Sequence, residues 1–192
     1  MEDSQTLSKA EQERQVRMAG VKKRRFKKFV MWLLVLLGIA AGIYGLIYFV
    51  KQAEKSKPGQ EIPAMGANHI AVGAEHEPYN SNPPTSGPHY AQPANWGIYD
   101  EPLPDEKLVH NLEHGGIWIS YRDKDNVELV KQLKDITDDY SVKVILTYRP
   151  QNDAPIAVAA WGRLLKLETF DRKQILDFLK AFINKGPEQV PY

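Results

Sequence analysis

Two histidines and a glutamate stand close together in the segment LVHNLEHGG. His110 and His114 are four residues apart, so their side chains share a face whether the segment is helical or extended. Imidazole is a good ligand for zinc and copper. The order His110-x-x-Glu113-His114 also matches a zinc-protease pattern, but that pattern needs a long helix, and the two glycines that follow stop one here. The spacing therefore permits a shared metal ion without requiring one.

The remaining histidines also precede the regular helices and strands that close the chain. His89 follows a Gly-Pro pair in SGPHY, and the proline restricts the backbone that presents it. We predict that His89, His110 and His114 bind one transition metal ion, with His76 or Glu113 as an additional ligand. The chain contains no cysteine, and an all-nitrogen set suits Zn²⁺ or Cu²⁺ better than Ca²⁺ or Mg²⁺.

Three other interpretations of these residues stay open. The histidines can be structural and hydrogen-bond to the backbone. A histidine-dependent hydrolase is a second alternative, because Thr85 and Ser86 lie near His89, although no G-x-S-x-G elbow is present. A third is a non-enzymatic envelope module that binds a protein or cell-wall partner through aromatic residues such as Trp96 and Tyr99. No catalytic residue and no reaction follow from the sequence.

A long apolar segment, FVMWLLVLLGIAAGIYGLIYFV, covers residues 29–50 without a charge. As a helix it reaches roughly 33 Å, enough to cross a hydrocarbon core of about 30 Å. Trp32 lies near one end, and Tyr44 and Tyr48 lie near the other, where interfacial aromatic residues are favoured. We predict one transmembrane helix here.

The basic run KKRRFKK directly precedes this segment. The positive-inside rule places residues 1–28 in the cytoplasm as a basic tail, and the rest of the chain outside the cell membrane. The apolar region is too long for a cleaved signal peptide, so we expect an uncleaved signal anchor. We expect the tail to contact the lipid bilayer and not nucleic acid. Gly38 and Gly42 form a G-x-x-x-G pattern through which two such helices could form a homodimer.

The rest of the chain divides into a linker and a folded domain. Residues 51–73 are rich in lysine, proline and glycine, as in a spacer, and residues 74–192 form the predicted extracytoplasmic domain. Its first part, residues 74–104, is a long proline-rich loop whose aromatic residues predict packing. The order after it is β-α-β-β-β-α. This predicts an α+β domain: a small mixed sheet with two helices packed on it. We expect Asp171 to cap the last helix and Gly186 to end it.

Three segments of the domain resemble the bacterial family known as domain of unknown function 3105: YNSNPPTSGPHY, HNLEHGG, and AAWGRLLKLETFDRKQILDFLKAF followed by GPEQVP. The resemblance covers residues 75–191. It implies an amino-terminal membrane anchor, as members often carry one, and it implies no assigned reaction. The motif positions are Asn80, Asn82, Pro83, Pro84, Ser86, Gly87, His89, His110, Glu113, His114 and Gly115.

Overall fold

The protein is described by a computed structural model of residues 9–55, 57–140 and 142–188. It divides into two compact units, Met1–Ser56 and Lys57–Tyr192.

The described residues of the first unit, 9–55, form one helix, α1 (Lys9–Lys55). By length and composition it can cross a membrane over Val21–Gln52, where the mean hydropathy reaches 2.4. The predicted span lies inside this range, and such a helix is compatible with either a membrane anchor or a signal sequence. The three predicted interfacial aromatic residues are exposed on it: Trp32, Tyr44 and Tyr48.

The second unit is built on a mixed sheet. The sheet contains β1 (Gln60–Glu61), β4 (Gly97–Tyr99), β5 (Ile117–Tyr121), β6 (Val144–Tyr148), β7 (Ile156–Ala160) and β8 (Arg163–Leu167). A separate pair of strands is formed by β2 (His69–Ile70) and β3 (His89–Tyr90). The helices of this unit are α2 (Asp105–Glu113), α3 (Val127–Asp138) and α4 (Arg172–Phe182). The six-stranded sheet has the order β1-β8-β7-β5-β6-β4, and β2 pairs with β3.

Both strand directions occur in the sheet. Strands β4 and β5 run parallel to β6, whereas β7, β8 and β1 each run antiparallel to a neighbour. The strands that α3 connects, β5 and β6, are parallel, which requires a crossover of this length. The predicted α+β class with a mixed sheet is therefore confirmed.

Successive side chains of a strand point to opposite faces of the sheet, and both faces are buried. One face, the α3/α4 face, is covered by the two long helices. Its buried strand residues are Ile117, Ile119, Tyr121, Val144, Leu146, Ile156, Val158, Ala160 and Leu167. The other face, the α2 face, is covered by Leu108 and Leu112 of α2 and by Ile62. Its buried strand residues are Trp118, Ile145, Ala157, Ala159 and Leu164.

The sequence predicted a residue at each end of α4, Asp171 as its cap and Gly186 as its end. The Asp171 carboxylate accepts the Gln174 amide at 3.0 Å, so the predicted N-cap is confirmed. The prediction that Gly186 ends this helix is wrong. The helix ends at Phe182, and Asn184 adopts a positive φ of 61°. The chain turns early because the Asn184 amide donates to the Gly115 carbonyl at 2.8 Å.

The compact unit begins earlier than the predicted domain boundary. Residues 57–73, which the sequence analysis assigned to the linker, contribute β1 and β2. Ile62 is buried, and its amide donates to the Gly162 carbonyl at 3.0 Å. Two-residue strands carry too little alternation to be seen in a sequence of spacer-like composition.

Candidate metal centre

The segment that carries His89 is fixed by a neighbouring segment that begins at Met65. Three hydrogen bonds of 3.0 Å join them: Met65 N to Ser86 Oγ, Gly87 N to Gly66 O, and His89 N to Asn68 O. In the resulting parallel pair, His69 of β2 lies opposite His89 of β3. The pairing therefore brings together two histidines that are distant in sequence.

The Gly-Pro-His turn is closed by Tyr79. Its hydroxyl donates to the Pro88 carbonyl at 2.6 Å, and burial raises the pKa of Tyr79, which keeps the phenol protonated as a donor. Gly87 has a φ of +120°, and a Cβ there would lie 3.1 Å from the Tyr79 ring. This position therefore requires glycine both for its backbone conformation and for space.

The other motif residues of the loop attach it to the domain. The Asn80 side-chain amide donates to the Pro63 carbonyl at 2.7 Å, and that of Asn82 donates to the Gln151 carbonyl at 2.8 Å. Pro83 and Pro84 are buried. These residues hold the loop in place and lie outside the group of side chains that could bind a metal.

Helix α2 supplies the remaining groups of the centre. Leu108 and Leu112 are one turn apart and fully buried, which fixes the rotation of the helix about its axis. Arg149 fixes its first turn through a two-pronged ion pair with Asp105, at 2.9 and 2.7 Å. The same guanidinium donates to Asn82, so the helix start and the proline-rich loop share one anchor.

The helix stops at His114 because the chain beyond it is tightly packed. Gly115 has a φ of +74°. A Cβ on Gly116 would lie 2.6 Å from both the Trp96 ring and the Asn111 carbonyl oxygen. The two glycines therefore end the helix, as expected from the sequence, and they leave His110, Glu113 and His114 in its last turn and at its end.

Four side chains converge beside this helix end. His69, His89, His110 and Glu113 each offer one ligand atom, and these atoms all lie within 4.8 Å of one another. The Glu113 Oε2 atom is 3.0 Å from His89 Nε2 and 3.7 Å from His69 Nε2. His89, His110 and Glu113 are buried, whereas the side chain of His69 is 49% exposed. One side of the group therefore faces solvent.

Both buried histidines use the same ring nitrogen to bond the backbone. The Nδ1 atom of His89 lies 2.7 Å from the Gly87 carbonyl oxygen, and that of His110 lies 2.6 Å from the Tyr90 carbonyl oxygen. A carbonyl only accepts, so Nδ1 must carry the proton. In the neutral rings the Nε2 atoms then carry lone pairs directed into the group. Burial lowers the pKa of His110, against a smaller opposing effect of the Tyr90 hydrogen bond, which favours that neutral form.

His114 lies at the edge of the group. Its Nε2 atom is 3.0 Å from His110 Nε2 and 3.4 Å from Glu188 Oε2. With Glu113 and Glu188 it forms a second set of ligand atoms within 4.8 Å of one another. Of the three predicted ligands, the structure places His89 and His110 in one group with His69, and it places His114 in a neighbouring set.

His76, predicted as an additional ligand, lies elsewhere. Its ring nitrogens are 2.7 Å from the Glu77 carbonyl oxygen and 3.4 Å from Glu106 Oε1. His69 and Glu188 were missed by the sequence analysis. His69 stands in spacer-like sequence, and its only signal is that it is a histidine. Glu188 is one acidic residue among many, and nothing in its neighbourhood marks it.

The groups proposed for the alternative functions are poorly presented. Thr85 and Ser86 are fully buried, and the Ser86 hydroxyl already accepts the Met65 amide. Trp96 and Tyr99 are half-buried against the core of the α2 face. Neither a reactive hydroxyl nor a free aromatic platform is formed by these residues.

Comparison with known families identifies the domain but no activity. The family model described as a protein of unknown function, DUF3105, matches residues 71–191. The chain belongs to this family. No curated protein and no solved structure matches it. In this DUF3105 chain, His89, His110, Glu113 and His114 fall within the matched residues, and His69 lies two residues before them.

Proposed function

We propose that the compact unit of this DUF3105 protein binds a zinc ion through His69, His89, His110 and Glu113. The ligand atoms are the Nε2 atoms of the histidines and an oxygen of the carboxylate. We further propose that α1 anchors this unit to the cell membrane, with the unit on the extracytoplasmic side. The metal part of the proposal rests on geometry, and the membrane part rests on charge and hydropathy.

The orientation of the two buried imidazoles is the observation that carries the metal proposal. His89 and His110 both donate Nδ1–H to a backbone carbonyl. This is the outer hydrogen bond that metal-bound histidines usually make, and it fixes the tautomer with a free Nε2 lone pair. The remaining Nε2 atom of His89 lies 3.0 Å from the buried Glu113 carboxylate, and that of His110 belongs to the same group of ligand atoms.

The separations between the ligand atoms fit a small cation. With metal–ligand bonds of about 2.0–2.1 Å, two ligands of a tetrahedral ion lie about 3.3 Å apart. The distances from Glu113 Oε2 to His89 and His69, 3.0 and 3.7 Å, fall on either side of that value. The four ligand atoms lie within 4.8 Å of one another, so side-chain movements on the order of an ångström would complete the site.

The electrostatics of the group favour a cation as well. A lone pair of His89 Nε2 and the Glu113 carboxylate are 3.0 Å apart in a buried environment. Such a pair is stable only with a positive charge between them, either a proton or a metal ion. Three imidazoles and one carboxylate suit tetrahedral Zn²⁺, whereas Cu²⁺ prefers a tetragonal arrangement. The exposed edge at His69 gives the ion a route from solvent.

The metal proposal is tested by equilibrium binding. The full-length protein, purified in detergent and stripped with a chelator, is titrated calorimetrically with ZnCl₂ and, separately, CuSO₄, and bound metal is counted by mass spectrometry after dialysis. We expect bound zinc, and at least a hundredfold weaker binding in His89→Ala and His69→Ala.

The matched control is His76→Ala, because His76 comes from the same loop but pairs with Glu106. It should bind zinc as the wild type does. Because the His69 side chain is half-exposed, His69→Ala should not disturb the fold. Weaker zinc binding in both His69→Ala and His89→Ala therefore cannot be explained by misfolding. Absence of bound zinc above the buffer level in the wild type would contradict the proposal. If the protein instead retains copper in preference to zinc, the proposed metal is copper.

The membrane orientation is tested by thiol labelling, because the chain contains no cysteine of its own. We expect Glu101→Cys, in the compact unit, to react with a membrane-impermeant maleimide in intact cells. Arg14→Cys, in the basic tail, should react only after lysis. Equal labelling of both positions before lysis, or labelling of Arg14→Cys alone, contradicts the proposed topology.

A further inference from the structure

The group formed by Glu113, His114 and Glu188 has no role in the site proposed above. Its ligand atoms lie within 4.8 Å of one another, and it shares Glu113 with the first group. We infer that this group is a second metal subsite and that Glu113 bridges two divalent ions. The inference rests on the proposed function, since the shared carboxylate must already bind the first ion.

The chemistry of Glu113 permits the bridge. A carboxylate has two oxygens, and Oε2 faces His89 and His69. Paired metal sites in proteins commonly hold two ions about 3.5–4 Å apart. Two groups of ligand atoms that share one carboxylate, each within 4.8 Å, are compatible with that spacing.

The backbone holds Glu188 at this position. Its amide donates to the Glu113 carbonyl at 3.1 Å, and the Asn184 amide donates to the Gly115 carbonyl at 2.8 Å. Between them, Gly186 lies so close that a Cβ there would collide with the Glu113 carbonyl oxygen. The segment that carries Glu188 is therefore packed directly on the end of α2, although the Glu188 side chain itself is 57% exposed.

The short approach of His110 and His114 also fits two ions. Their Nε2 atoms are 3.0 Å apart, and His110 Nε2 carries a lone pair because its Nδ1 atom donates to Tyr90. Without metal, His114 must direct a proton at His110. To bind an ion through Nε2, the neutral His114 ring takes its other tautomer, with the proton on Nδ1. The two carboxylates of the subsite supply the negative charge that a divalent cation requires.

The experiment counts zinc ions in the full-length protein and in two variants. In the wild type we expect two ions per chain. Glu188→Gln keeps the size of the side chain but weakens the second subsite, and we expect one ion. His89→Ala disrupts the first subsite, and we expect at most one weakly bound ion. Glu101→Gln, an exposed glutamate that belongs to neither group, is the matched control and should retain two ions.

Each result distinguishes the two proposals. One ion in both the wild type and Glu188→Gln, lost in His89→Ala, overturns the second subsite and leaves the first. One ion that is lost in Glu188→Gln but kept in His89→Ala overturns the first. No bound ion overturns both, and His114 and Glu188 then form a simple ion pair.

A variant outside the ligand set checks the geometry independently. Gly186→Ala should displace the segment that carries Glu188 and lower the occupancy of the second ion by at least tenfold, while the first ion stays bound. Unchanged binding of two ions in Gly186→Ala contradicts the role assigned to this close packing.

Discussion

The two faces of the six-stranded sheet are buried by different kinds of side chain. The α3/α4 face is a continuous apolar cluster, and the buried hydroxyl of Thr137 bonds within its own helix, to Leu133. The α2 face has a smaller apolar cluster and many buried polar groups around it. These are Thr85, Ser86, His89, His110, Asn111, Glu113, Ser120, Thr147, Arg149 and Asn152.

The difference shows how the domain separates stability from chemistry. Hydrophobic burial needs no particular partner and tolerates imprecise geometry better than a polar group does. A buried polar group must find its partner, so the α2 face depends on specific hydrogen bonds. We therefore expect substitutions on the two faces to differ in kind, with polar contacts decisive on one and apolar volume decisive on the other.

The largest effect is expected from the polar anchor of the α2 face. Arg149→Ala leaves Asp105 unpaired at the start of α2, and breaking such a buried pair costs about 3–5 kcal/mol of the free energy of unfolding. Urea unfolding followed by tryptophan fluorescence measures it. The control is Arg172→Ala, whose pair with Asp139 is exposed and should contribute less than about 1 kcal/mol. Equal losses in the two variants would remove the distinction between the faces.

On the α3/α4 face, a comparable loss in the free energy of unfolding should result from removing buried apolar side-chain volume. Leu133 is fully buried in α3, and Leu133→Ala is expected to cost about 2–5 kcal/mol through lost burial and the cavity left behind. Val127→Ala, in the same helix but 75% exposed, should change stability by less than about 0.5 kcal/mol. The same unfolding experiment applies, and a small effect at Leu133 would mean that this face can repack.

The stabilisation of the protein by zinc should not depend on the packing of the α3/α4 face. At a free zinc concentration a hundred times the Kd, ligand binding adds about 2.7 kcal/mol to the free energy of unfolding. We expect that gain in the wild type and in Leu133→Ala, measured as paired urea curves with and without zinc. His89→Ala, with at least a hundredfold weaker binding, should gain less than about 0.5 kcal/mol. Loss of the gain in Leu133→Ala would instead couple the two faces.

The smallest effect is expected at a helix cap. The Asn126 side chain accepts the Leu129 amide at the start of α3, and Asn126→Ala should cost about 1 kcal/mol. Asn126→Asp retains an acceptor and serves as the control, with little change expected. Zinc affinity should be the same in both variants, because this cap lies on the α3/α4 face.

The regular half of the domain was predictable from sequence for a physical reason. Strands β5 to β8 and helices α3 and α4 carry periodic apolar patterns, and Asp171 is a local capping signal. These features depend on residues within one turn or one strand of each other. Helix α2 was left open because its nine residues give few periods, although acidic residues in its first turn were a usable signal.

The candidate site was only partly predictable because its contacts are long-range. His110 and Glu113 were visible as a local pair on one segment. His69 joins them only through the two-residue pairing of β2 with β3, and Glu188 joins only through backbone bonds to α2. Neither contact leaves a periodic pattern in the sequence. A polar site assembled from short strands and turns is therefore harder to predict than the apolar core that supports it.

The parallel pairing of His69 with His89 also has a consequence for how the domain folds. Two-residue strands cannot hold together by themselves, and bringing their distant segments together costs chain entropy before any contact is gained. An isolated pair of short strands is stable only when it packs on a framework that already exists. We expect the sheet and its two long helices to form first and the histidines to meet afterwards. Metal ions would then leave the refolding rate unchanged and slow unfolding instead.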